Sequence, residues 1–340
     1  MSSADGSPEP FTFDGGRVDP GEVGDYRYRI SETYLGDPVR IPVTVVNGER
    51  AGPTLFLSAA SHGDELNGIE VVREVASTAD PAEIAGTLVC LPVLNVPGFL
   101  FQQRYLPIYD RDLNRSFPGD SESTSAKRMA KRIFRNFIEP CDVGVDFHTS
   151  TRGRTNTHHV RADMSNPEVA RLARAFGQPV IIDSEGSSGM LRTEAAEAGA
   201  PTITVEMGEA HRFQRDLIDE AVAGVGNVLA EYGLSEQERV EWPGWRTVIS
   251  SDEKTWLRAD AGGLVEMHRG TGELVAEGDT ICTISNPFKT EQVAVNAPFD
   301  GLLVGALENP VVYPGNPLCH LVELDTDTRA AYRARHARPE

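Results

Sequence analysis

Between Pro53 and Gly233, apolar runs of strand length alternate with amphipathic stretches of helix length, and this alternation restricts the fold of the 340-residue chain most. The pattern predicts strands over 54–60, 87–94, 143–147, 179–183 and 202–207, and helices over 66–77, 125–138, 166–176 and 213–232. Strands and helices in that order imply an α/β layer fold with a parallel or mixed sheet covered on both faces. Sheets of this kind bind ligands outside the carboxyl ends of their strands. Three polar motifs fall at such ends. His62-Gly63-Asp64-Glu65 leaves the first run, Asp146-Phe147-His148 closes the third, and Glu206 follows Ile203-Thr204-Val205 in the fifth.

Two histidines and one carboxylate are the protein ligands of a catalytic zinc that keeps a fourth position open for water. His62, Glu65 and His148 therefore point to metal-assisted hydrolysis. Asp146, two residues from His148 and on the same strand face, is placed to orient an imidazole. His158 and His159 belong to no such motif and read as surface or cleft-rim residues. The cysteines Cys90, Cys141, Cys282 and Cys319 are scattered without a Cys-x-x-Cys pair, which suits small core residues better than ligands or a disulfide framework.

Charge narrows the partners. Asp and Glu number 51 against 32 Lys and Arg, a net charge of −19, and only Lys127, Lys131, Lys254 and Lys289 are lysines. A surface so acidic disfavours nucleic acid and anionic membrane as partners. It suits a cytoplasm rich in salt, where screening makes self-repulsion tolerable, and we read it as a halophilic trait. No segment reaches the roughly 20 apolar residues of a membrane span, and the polar, acidic start is unlike a secretory signal, so a cytoplasmic protein is expected.

Residues 1–25, rich in Gly, Pro, Asp and Glu, read as a flexible acidic leader. Alternation over 26–46 predicts an opening hairpin or meander, so the α/β domain is expected over 26–240. After a polar stretch carrying Trp242-Pro-Gly-Trp245, short alternating runs broken by Gly and Pro predict a smaller C-terminal all-β domain over 241–325, then a tail over 326–340. Its Ala297-Pro-Phe-Asp-Gly301 turn resembles those of biotinyl and lipoyl carriers. Lys289, however, lacks a carrier's hairpin-tip context.

The central stretch Arg104-Tyr105-Leu106-Pro107-Ile108-Tyr109-Asp110-Arg111-Asp112-Leu113-Asn114-Arg115-Ser116-Phe117-Pro118-Gly119 completes the set of motifs. Together with His62–Glu65, Asp146–His148 and Val205-Glu206-Met207-Gly208, in that order, it resembles the succinylglutamate desuccinylase/aspartoacylase family of zinc-carboxypeptidase-like hydrolases. The likeness runs from about residue 53 to 325. It implies a mixed-sheet catalytic domain, one zinc per subunit held by His62, Glu65 and His148, and Glu206 as the group that moves the proton. It also implies that Asn114 and Arg115 grip a substrate carboxylate while Arg104 polarises the scissile carbonyl. Arg111 and Arg192 are alternatives to Arg104, and Glu209 is the rival of Glu206. The C-terminal β domain is expected to narrow access to the cleft.

The resemblance implies hydrolysis of the amide bond of an N-acylated amino acid or similar small acid. A metallocarboxypeptidase acting on peptides uses the same ligands and is the nearest alternative. A non-catalytic binding protein on the same fold is the alternative from another class. The sequence is compatible with a homo-oligomer and does not select the acyl group or the amine.

Overall fold

The computed structural model describes residues 7–107, 110–240, 247–249, 254–324 and 326–330. Strand Arg50–Ala59 lies at the centre of a mixed sheet, parallel to Ala85–Leu91 on one side and to Val143–Ser150 on the other. Thr202–Glu209 follows, parallel to Val143–Ser150. Antiparallel strands extend both flanks. Pro38–Asn47 and Glu22–Glu32 lie beyond Ala85–Leu91. Arg154–Ala162, Gly301–Leu307, Pro317–Glu323 and Lys254–Arg258 lie beyond Thr202–Glu209.

The period of two in the central strand separates the two cores. Leu55, Leu57 and Ala59 point toward helices Asn67–Thr78, Pro167–Phe176 and Arg215–Glu231. Phe56 points the other way, toward Met129, Ile133, Phe137 and Leu191. Each such burial contributes about 1.5–3 kcal/mol, which outweighs the weak intrinsic preference of these segments for helix or strand. Gly144 on the neighbouring strand makes room for Phe56, since a Cβ there would stand 2.1 Å from its ring.

Helix ends follow local chemistry. The Asn166 side chain accepts from the backbone N–H of Glu168 and Val169, Pro167 opens the helix, and left-handed Gly177 (φ 95°) closes it. The helix expected over 125–138 is α-helical only over Ser125–Ile133 and widens into a π-helical turn over Phe134–Ile138.

Two expectations are corrected. The stretch read as a flexible leader is folded from Phe11 onward, in strands Phe11–Phe13, Gly16–Val18 and the start of Glu22–Glu32. Phe11 and Val18 reach the core, and the buried Asn47 carboxamide donates to the carbonyls of Glu9 and Val18. Composition hid these few anchoring residues among acidic ones. Second, His158 and His159 are buried within strand Arg154–Ala162, a strand that the polar run Arg154-Thr-Asn-Thr-His-His did not announce. The expected C-terminal all-β domain is present, and it adjoins the main sheet at its edge, with Gly305, Ala306 and Leu307 paired to Asn156, Thr155 and Arg154. Strand Thr247–Ile249 likewise adds to it, parallel to Val180–Asp183. A separate four-stranded antiparallel sheet joins Gln292–Asn296, Thr280–Ser285, Gly263–Met267 and Val311–Val312. Trp242-Pro-Gly-Trp245 and residues 331–340 of the tail lie outside the described residues.

Candidate active site

The three parallel strands Arg50–Ala59, Val143–Ser150 and Thr202–Glu209 deliver their carboxyl ends to one place. On leaving the first, the chain turns at Ala60, whose φ of 49° is rare for a residue with a side chain. His62 and Glu65 follow in the loop, both buried. His148, next to the end of the second strand, lies opposite Glu206 of the third in the parallel register. After Glu206 the ladders to both neighbouring strands shift register, and Gly208 takes a left-handed φ of 64°. Glu206 lines the cleft together with Thr204, two residues earlier on the same face of the strand.

Ligand atoms of His62, Glu65 and His148 lie within 4.8 Å of one another. The Nδ1 atoms of His62 and His148 each lie 2.9 Å from a Glu65 carboxylate oxygen. The opposite nitrogens are occupied: His62 Nε2 meets Asp112 Oδ1 at 3.2 Å, and His148 Nε2 meets Asp146 Oδ2 at 2.8 Å. Asp146 is fixed in turn by the Ser58 hydroxyl, which donates to Oδ1 at 2.7 Å. Each imidazole is thus anchored from behind and presents Nδ1 to the carboxylate.

These residues suit a metal ion. His62 Nδ1 is buried and makes no aligned hydrogen bond despite its short contact with Glu65. An imidazole nitrogen with a free lone pair, a second one beside it and an ionised carboxylate form a zinc-type donor set. Burial works to raise the Glu65 pKa, but His62 and His148 outweigh it and hold the group well below the usual carboxylate range. Burial works to lower the His148 pKa, yet Asp146 and Glu65 raise it well above the usual range. A metal ion bound at this triad would compete with a proton.

A cleft of about 190 Å³ opens on the triad. Arg104 lines it and donates to Glu65 Oε1 at 2.6 Å, and its own carbonyl accepts from Gly63 N and the buried Asn95 carboxamide. The Asn114 carboxamide accepts from Leu191 N at 2.8 Å and brings Nδ2 to 3.3 Å from His148 Nε2. The Arg115 guanidinium donates to Asn114 O at 2.7 Å and lines the same cleft. Glu206 lines it too, with Asn156 Nδ2 at 3.0 Å and Arg161 Nε at 3.4 Å from its two oxygens.

All seven residues singled out from the sequence thus border one space. The alternatives separate from them by position. Arg111 is exposed and Glu209 pairs with Arg212, both away from the cleft lining, whereas Arg192 lines the cleft and donates to Ser184 O. Burial, then Arg161, pushes the Arg192 guanidinium down to about 10. Sequence reasoning missed Asp112 as an anchor, together with Asn95, Arg154, Asn156, Arg161 and Trp256. Trp256 reaches the cleft from the C-terminal module, stacked on His320 with ring centroids 4.9 Å apart and under the Arg154 guanidinium. Tyr313 is largely exposed and does not line the cleft.

A mixed sheet with a buried His-Glu-His cluster at its carboxyl edge defines a metallohydrolase-like architecture. The family model for the succinylglutamate desuccinylase/aspartoacylase catalytic domain matches residues 51–232, and the chain belongs to this family. It is 27% identical over 300 residues to the N-alpha-acetyl-L-2,4-diaminobutyric acid deacetylase of Halomonas elongata, covering 84% of this chain and 86% of that protein. The product-bound ectoine utilization protein EutE (DoeB) of Ruegeria pomeroyi superposes with a TM-score of 0.83 at 26% identity, covering 94% of this chain and 99% of that one. A succinylglutamate desuccinylase/aspartoacylase of Rhodobacter sphaeroides gives a TM-score of 0.78 at 25% identity, covering 89% and 95%.

Proposed function

We propose that the protein is a zinc-dependent deacylase that hydrolyses the amide bond of an N-acyl amino acid. The observation that carries this reading is the shared cleft, in which His62, Glu65 and His148 face Glu206, Arg104, Asn114 and Arg115. His62, Glu65 and His148 would hold a zinc ion, which would supply Lewis-acid activation of water and of the scissile carbonyl. Glu206 accepts the proton of the attacking water and returns it to the departing amine nitrogen. Arg104 keeps a fixed positive charge beside Glu65, where the carbonyl oxygen gains negative charge. Asn114 and Arg115 hold the substrate carboxylate and set its distance from Glu206.

The small cleft supports a small acid over a peptide, since pockets for drug-sized ligands run to about 300–1,000 Å³. The deacetylase of Halomonas elongata supports an N-acetyl substrate. A second reading of the amine rests on charge. Among the described residues Arg115, Arg154 and Arg192 line the cleft without an ion-pair partner, which favours an amino acid with an additional carboxylate. The test is hydrolysis of N-acetyl, N-succinyl and N-formyl amino acids with acidic or basic side chains by zinc-loaded protein at high salt. Amine release from this panel, lost on chelation and restored by zinc, is the expected result. Cleavage of peptides alone overturns the reading. Glu206→Gln should lower kcat by about 10²–10⁴-fold with zinc content unchanged; wild-type turnover in that variant removes Glu206 from its role.

A further inference from the structure

The strand that edges the catalytic sheet from the C-terminal module touches the machinery through one glycine. Gly305 lies opposite Asn156 in the antiparallel register of Gly301–Leu307 and Arg154–Ala162. A Cβ at Gly305 would stand 2.9 Å from Asn156 Oδ1, with His320 Cβ next at 3.4 Å and Thr155 O at 3.7 Å. From that position the Asn156 carboxamide reaches across and donates through Nδ2 to Glu206 Oε2 at 3.0 Å. Arg161, on the same strand as Asn156, stands 3.4 Å from the other oxygen. Both oxygens of Glu206 are therefore fixed from strand Arg154–Ala162, and the room for Asn156 comes from an absent side chain on Gly301–Leu307.

The need for such a clamp is physical. Glu206 is the last residue in register before both ladders shift, so the regular pairing that supports it on one side in sequence is missing on the other. A carboxylate that takes a proton from one atom and gives it to another must hold its direction. A displacement of about 1 Å in a reacting group can cost on the order of 10²-fold in rate.

We infer that Asn156 and Gly305 are positioning residues for Glu206, and that the C-terminal module supports the proton transfer through the contact between them. The inference rests on the reading of Glu206 as the proton-transfer group. Gly305 is not in the left-handed region, and the first atom an added methyl meets is the end of a movable side chain. Gly305→Ala therefore displaces Asn156 and leaves the strand in place.

A double-mutant cycle on zinc-loaded, full-length protein tests this, with zinc content and Tm measured for every variant. Asn156→Ala should lower kcat by about 10–100-fold and leave KM within about twofold, because the lost contact orients a catalytic group and not the substrate. Gly305→Ala should lower kcat by about tenfold at unchanged KM. In the Asn156→Ala background it should cost nothing further, since neighbours acting through one contact are non-additive. Wild-type kcat in Asn156→Ala, a rise in KM alone, or a full additive loss from Gly305→Ala in the double variant overturns the inference. Should Gly305→Ala fail to fold, the KM and kcat of Asn156→Ala decide alone. Full activity in Glu206→Gln removes the object of the clamp, and overturns the base assignment separately from it.

Discussion

Asp112 and Asp146 each hold one imidazole of the triad by the nitrogen that faces away from Glu65. Such partners fix the tautomer and raise the basicity of a ligating histidine, and losing one typically costs about 10–100-fold in metal affinity. Asp146→Ala and Asp112→Ala should each weaken zinc binding by that factor in a competitive chelator titration. An Asp146→Ala protein with wild-type zinc affinity refutes the anchoring role. The cluster proposed to hold the metal was legible because His62, Glu65 and His148 fall at strand exits, where side chains converge. Asp146 was legible because strand periodicity puts it on the face of His148. Asp112 was not, because it meets His62 only through a loop fold in which its Oδ1 also accepts from Asn114 N. Asn156 and Arg161 were hidden for a related reason: their importance depends on which strand pairs with Thr202–Glu209, and no residue spacing states that.

Among the elements, Arg154–Ala162 explains what alternation fails to report. Its polar residues Arg154, Asn156 and Arg161 line a cleft, and His158 is buried against Glu220 at 2.8 Å, so no apolar face marks it as a strand. The central strands and the long helices carried their period plainly and were read from it, whereas the short helix Leu191–Glu197, which adds Leu191 and Ala195 to one core, was not. Tight contacts between loops left a subtler trace. A Cβ on Gly63 would stand 2.1 Å from the backbone carbon of Gly98, in the short helix Val96–Leu100. Backbone cannot yield as a side chain does, so Gly63→Ala should cost about 1–3 kcal/mol as overpacking. It should also shift the loop that carries His62 and Glu65. Thermal unfolding with parallel zinc analysis checks both effects, and an unchanged Tm with full zinc content contradicts the tight approach.

For the molecule as a whole, a net charge of −19 makes stability depend on screening. At low ionic strength the repulsion extends about 10 Å at 0.1 M salt and about 3 Å at 1 M. The Tm should therefore rise as KCl increases over that range, and a flat profile rejects the halophilic reading. Buried histidines add a pH limit. Burial first, then Arg161 and Lys254, pushes the His320 imidazole down to about 3. Its unfolded pKa is near 6.5, so between these values the unfolded chain binds a proton that the folded one excludes. The stability contribution is complete above about pH 6.5 and is lost as pH falls toward 3. Calorimetry from pH 7 to 4 should show Tm falling, and His320→Gln should make the slope shallower; equal slopes exclude His320 as a source.

The continuous sheet also orders events in time. During synthesis the ligands His62, Glu65 and His148 and the carboxylate of Glu206 all emerge before residue 240, and N-terminal segments generally fold first. Within strand Arg154–Ala162, Val160 to Ala162 pair with Val180–Asp183, while Arg154 to Asn156 wait for Gly301–Leu307 to be made. A ribosome-bound chain ending before residue 301 carries every residue of the proposed zinc site and yet lacks the strand that packs against Asn156. Metal loading should therefore precede full turnover on the nascent chain, and amine release from arrested chains of increasing length should rise by about 10–100-fold once Leu307 has cleared the exit tunnel.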